Sequence, residues 1–97
     1  MTILPKKENN LCTLAVEGDI NTLTAPELEK AVQEQAPLCE KLTLDFAKVN
    51  YISSAGIRAV LRARQIMGND NLTLKSLNGN VMEIFRMTGF VNMLHIE

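Results

Sequence analysis

The chain has almost no excess charge of either sign. Its 97 residues carry ten Lys and Arg against eleven Asp and Glu, a net charge of −1. A nucleic-acid partner usually demands a basic face, so this balance argues against one. Long hydrophobic runs are missing too. None approaches the roughly 20 apolar residues that a membrane helix requires, so direct insertion into a bilayer is not expected. The N-terminus lacks a charged-then-apolar leader pattern, and the expected address is cytoplasmic. The only histidine, His95, has no acid paired with it in a motif. Such a residue is more often a surface group than a general base. The two cysteines, Cys12 and Cys39, have no neighbours at metal-ligand spacing. They can pair only if the fold brings them together, and in a cytoplasmic chain they read most simply as free core-fillers. A phosphate-cradling glycine loop with its lysine is absent, as is a Gly-x-Ser-x-Gly elbow. Catalysis needs a constellation, and these absences leave none. No catalytic residue, cofactor or metal site is expected.

What the chain does have is a change of hydrophobic period between Lys41 and Met67. Leu42, Leu44 and Phe46 alternate with Thr43 and Asp45, the period of a strand. Val49, Tyr51 and Ile52 carry the apolar character on to Ser53-Ser54-Ala55-Gly56. Beyond Gly56 the apolar positions Ala59, Val60, Ala63 and Met67 share one helical face. A strand over Lys41–Phe46 therefore feeds a helix that begins between Ser53 and Ala55. Serine is a preferred N-cap because its oxygen accepts from the free amides of the first turn. On local pattern alone, a capping role is the simpler reading of Ser53 or Ser54.

The flanking segments complete an alternating β/α pattern. Thr2–Leu4 reads as a short first strand, with Pro5 and the run Lys6 to Asn10 as a hairpin turn. Leu11–Val16 alternates, with Cys12, Leu14 and Val16 on one side, and Gly18-Asp19 ends that strand. Thr24 followed three residues later by Glu27 has the form of a capping box, and Pro26 suits a first turn. Leu28, Ala31, Val32 and Gln35 follow at helical spacing until Pro37 stops the helix. After Gly68 comes a strand marked by Leu72, Leu74 and Leu77. A third helix from Asn78 to Thr88 carries Val81, Met82, Ile84, Phe85 and Met87, with Gly89 suited to the left-handed position after its end. Met93, Leu94 and Ile96 close the chain as a final turn or short strand. One domain over residues 1–97 follows, α/β in class, with a small, mostly parallel sheet and an early antiparallel hairpin.

The stretch from Lys41 to Met67, KLTLDFAKVNYISSAGIRAVLRARQIM, resembles the signature of the STAS domain, the module named for sulfate transporters and anti-sigma factor antagonists. VEGDINTLTAPELEKAV near the start and FRMTGF near the end are similar to other segments of that family, so the resemblance covers most of the chain. It implies helices mainly on one side of the sheet. It also implies that the serine two residues before the glycine, Ser54, is a phosphorylation site, with Ser53 standing at the family's usual aspartate position. A further implication is that Asp19 lies in a loop close to that turn. The implied partner is an anti-sigma factor serine kinase, or a related regulatory protein. A constitutive adaptor subunit of a membrane transport complex, with Ser54 structural, is the alternative. Arg58 and Arg62 face away from Val60, Ala63 and Met67, with Ile57 and Leu61 between the two faces on the side of Ser54. Either that apolar pair tucks under a neighbouring helix, or it forms a patch rimmed by arginines and suited to a protein partner. Asp19, Ile57, Arg58, Leu61 and Arg62 are the partner-binding candidates, and Ser53 and Gly56 are the switch-turn and capping residues.

Overall fold

A computed structural model describes all 97 residues. Eight principal elements follow one another as β1 (Thr2–Glu8), β2 (Leu11–Glu17), α1 (Ala25–Gln35), β3 (Lys41–Lys48), α2 (Ser54–Met67), β4 (Leu72–Lys75), α3 (Gly79–Met87) and β5 (His95–Ile96). The five strands lie in sequence order across one sheet, β1-β2-β3-β4-β5. β1 pairs antiparallel with β2, and every other neighbouring pair is parallel. Each parallel step is bridged by a helix or helical turn, as parallel pairing requires.

The period of two decides which side is covered. Cys12, Leu14 and Val16 of β2, Leu42, Leu44 and Phe46 of β3, and Leu72 and Leu74 of β4 are all buried. Register stacks them across the strands, Cys12 beside Leu42 beside Leu72 and Leu14 beside Leu44 beside Leu74. The helices add Leu28, Val32, Val60, Ala63, Val81 and Phe85 to the same single cluster of 21 buried residues. The intervening residues Thr13, Ala15, Thr43, Asp45, Thr73 and Lys75 are half-buried and line the opposite, open face. One face of the sheet therefore holds all the helices.

Several local expectations differ from what is found. β1 runs on through Pro5 to Glu8, and only Asn9-Asn10 turn, with Asn9 at φ 56°. Pro5 stands opposite Leu14 on an edge strand, where a missing N–H costs no ladder bond inside the sheet. Exposure hides the alternation here, because solvent on the edge permits Lys6, Lys7 and Glu8 in succession. Thr24 begins α1 but its side chain makes no cap hydrogen bond. Its hydroxyl instead donates to the Asp19 carbonyl at 2.8 Å and accepts from the Asn21 amide at 2.9 Å. The capping box does not form because the loop before the helix uses the hydroxyl first. Leu77 lies beyond the end of β4, and Met87 is 78% exposed on α3, so the buried stripe of that helix narrows to Val81 and Phe85. Gly89 does adopt the left-handed conformation, at φ 80° and ψ 0°.

The fold brings the two cysteines together, and both are free thiols. Burial, and then the neighbouring Cys12 thiol, push the Cys39 thiol up to about 11. Its S–H donates to the Gln35 carbonyl at 3.3 Å. A thiol so rarely ionised at neutral pH is a packing group, because the thiolate is the reactive form.

Candidate functional site

Two loops leave the C-terminal ends of β2 and β3 and are stitched to each other. The Gly18 amide donates to the Lys48 carbonyl at 3.0 Å, the Ile20 amide to the Tyr51 carbonyl at 2.9 Å, and the Ser53 amide to the Ile20 carbonyl at 2.8 Å. Ile20 and Ile52 meet as a parallel bridge, and both are buried. The end of this ladder fixes where α2 can start. Ser53 is extended, at φ −89° and ψ 175°, and its Oγ accepts from the Gly56 amide at 3.3 Å. Ser53 is thus the N-cap. Ser54 is the first helical residue, exposed to solvent and outside the cap. Of the two serines that the sequence offered as caps, Ser53 is the one that caps.

Gly56 fits where no side chain would. A Cβ there would stand 2.6 Å from Ile52 Cγ1, 2.7 Å from Ile20 Cγ2 and 3.0 Å from the Ile20 carbonyl oxygen. The helix start is seated directly on the bridge between the two loops.

Asp19 is exposed in the loop next to this turn, one residue before Ile20. In the same loop Asn21 Oδ1 accepts from the amides of Leu23 at 2.9 Å and Thr24 at 3.1 Å, an Asx turn that leaves Leu23 85% exposed. Tyr51, on the facing loop, is half exposed. Asn78 adds a third segment to this end of the sheet. Its Nδ2 donates to the Val49 carbonyl at 2.9 Å while its Oδ1 caps α3 through the Val81 amide, also at 2.9 Å. The C-terminal ends of parallel strands, with helix starts and loops converging, are the customary functional edge of an α/β sheet.

The partner-binding candidates on α2 separate. Arg58 and Arg62 are exposed and line a shallow groove with Thr22, Pro26, Glu29 and Ala55. Arg62 Nε lies 3.6 Å from Glu29 Oε1. Ile57 is only 4% exposed and belongs to the core, and Leu61 is half-buried against that core. Neither forms a surface patch, because α2 packs on α1 as well as on the sheet and its buried arc widens to take them in. The exposed apolar groups on the two stitched loops are Leu23 and Tyr51. Sequence reading singled out neither as a site residue, although Asn21 just before the helix was a usable turn signal. Asp45 accepts from the Ala47 amide at 3.0 Å, a local contact where the pairing of β3 with β2 shifts register. His95 lies at the far end of the sheet, exposed and 3.5 Å from Asp70. No group of three or more His, Cys, Asp or Glu side chains that could hold a metal lies together, and no helix is long and apolar enough to cross a membrane.

A family model described as "Mlab, STAS domain" matches residues 3–95. BtrV, a candidate anti-sigma factor antagonist of Bordetella bronchiseptica, is 31% identical over 101 residues, covering 99% of this chain and 85% of the relative. The crystal structure of an anti-sigma factor antagonist from Mycobacterium paratuberculosis superposes with a TM-score of 0.87 at 21% identity, covering 98% of this chain and 83% of that one. The Bacillus cell fate determinant SpoIIAA, solved in its phosphorylated form, gives a TM-score of 0.73 at 9% identity, with coverage of 99% and 91%. The two solved structures match in fold, and the family model and BtrV match along the sequence itself. The chain belongs to the STAS domain family, and within it is an anti-sigma factor antagonist-like domain.

Proposed function

We propose that this domain is a reversible protein-binding switch of the anti-sigma factor antagonist type, turned off by phosphorylation of Ser54. The observation that carries the reading is the division of labour at the turn. Ser53 caps the helix, so Ser54 is exposed and free to be modified without cost to the fold. Phosphate adds about −1.5 to −2 charges at neutral pH. At the exposed first position of α2 the domain tolerates that charge. A partner covering the turn does not, because an unmatched dianion buried in an interface costs several kcal/mol. The partner class that follows is an anti-sigma factor that is itself an ATP-dependent serine kinase, both modifier and ligand. BtrV by name and SpoIIAA by its phosphorylated structure support this reading.

The test is incubation with the cognate kinase and ATP, followed by mass spectrometry of the modified peptide. Phosphate on Ser54 is expected, and phosphate on Ser53 alone would overturn the assignment. Ser54→Ala should bind the partner and ignore the kinase, whereas Ser54→Asp should bind more weakly. Binding intact with neither serine modified would favour a constitutive adaptor.

Ser53→Ala should lose about 1 kcal/mol of stability, the usual cost of a lost cap, and still accept phosphate on Ser54. Thermal melts of the two alanine variants check this, with Ser54→Ala expected within about 0.5 kcal/mol of the parent. Equal losses in both would mean that the cap is shared.

Leu23, which the Asx turn leaves exposed on the loop bonded to the Ser53-Ser54 turn, is the apolar anchor of this reading. Leu23→Asp should weaken partner binding at least tenfold, about 1.4 kcal/mol, while leaving the melt unchanged. Unaltered affinity by calorimetry would remove this loop from the interface.

A further inference from the structure

Arg58 lies four residues after Ser54 on α2, so the two side chains are neighbours on one helical face. The two arginines of the adjoining groove differ in one respect. Arg62 is held by Glu29 at 3.6 Å, whereas Arg58 has no carboxylate within ion-pair distance. A cation left unpaired at that spacing, C-terminal to an acidic group, is in the favourable orientation for a helical ion pair. Without phosphate on Ser54, Arg58 is an exposed, unpaired cation in the groove that Ala55 and Thr22 also line.

We infer that Arg58 is the intramolecular partner of a phosphate carried on Ser54. The inference rests on the switch reading of Ser54 and specifies how it would act. Phosphorylation then changes the surface twice: it adds a dianion, and it draws Arg58 away from the partner-facing rim. Guanidinium pairs with phosphate through parallel N–H donors, which lysine at the same place would not reproduce. The charge seen by a partner is lowered at two positions by one modification.

The test does not depend on a kinase. Phosphoserine is installed at position 54 by genetic encoding in the parent, Arg58→Gln and Arg62→Gln proteins, and the phosphate is titrated by phosphorus NMR. A free phosphoserine loses its second proton near pH 6. Pairing favours the dianion, so the parent should titrate about 0.3 below Arg58→Gln, from the strength of such helical pairs. The gap should close in 1 M salt, where the screening length falls to about 3 Å. Arg62→Gln should titrate like the parent. Identical titrations of the parent and Arg58→Gln overturn the inference, as does an equal displacement in Arg62→Gln. A kinase that leaves Ser54 unmodified sinks the switch without touching this titration.

Discussion

Leu44→Asp should leave the chain unfolded at 25 °C. Leu44 is fully buried on the central strand, in register between Leu14 and Leu74. Removing a buried leucine side chain costs about 2–5 kcal/mol by itself. An unpartnered carboxyl left in the same space adds several more, whether it stays charged or takes up a proton. No buried polar group is available to receive it, since the buried set contains no polar or charged residue. A domain of this size has about 5–15 kcal/mol in total, so the substitution consumes most or all of the margin. Thr43→Asp places the same carboxyl one residue earlier, on the open face, and should fold. Circular dichroism and amide NMR on the pair read the result. A Leu44→Asp protein melting cooperatively within a few degrees of the parent would show that β3 is not the centre of the core.

The contrast between those two positions also explains what the sequence made legible. Lys41–Phe46 alternates because each residue faces either the helices or solvent, so its burial is written in its composition. The strand-to-helix turn was legible for the same reason, as a change of period. β1 was legible only over Thr2–Leu4, and its extension through Pro5 to Glu8 was not, because an edge strand exposed along most of its length has no apolar face to betray it. Ile57 lay on the boundary between two faces of α2, and only the packing of α1 against that helix decides its side. The choice of cap between Ser53 and Ser54 was beyond local pattern, since both are serine and serine caps well at either position. It is settled by where the Ile20–Ile52 bridge releases the chain. Leu23 and Tyr51 owe their exposure to two loops meeting at one edge of the sheet, which is a property of the tertiary fold. Near the turn, then, sequence reading located the serines, while the apolar groups around them required the structure.

Gly56→Ala should destabilise the domain by about 2 kcal/mol or more, against the usual preference of helices for alanine. Helix propensity alone favours the change by about 1 kcal/mol. The added methyl, however, would stand 2.6 Å from Ile52 Cγ1 and 2.7 Å from Ile20 Cγ2, with the Ile20 carbonyl oxygen at 3.0 Å. Both isoleucines are β-branched, stiff at χ1 and buried, so neither gives way cheaply. Overpacking of this kind typically costs 1–3 kcal/mol and sometimes more, and the carbonyl contact adds a backbone displacement. The expected outcome is a midpoint lowered by about 8–16 °C, at 4–8 °C per kcal/mol for a domain of this length. In a double-mutant cycle with Ile52→Ala, which removes the nearest obstructing atom, the two losses should fall short of additivity. The variant should also lose partner affinity at temperatures where it is fully folded. Lifting the start of α2 off the bridge moves Ser54 relative to Leu23 and Tyr51, and the cap from Ser53 to the amide of residue 56 lengthens beyond its present 3.3 Å. An alanine variant more stable than the parent would mean that the contact relaxes at little cost and that propensity, not close packing, governs this position.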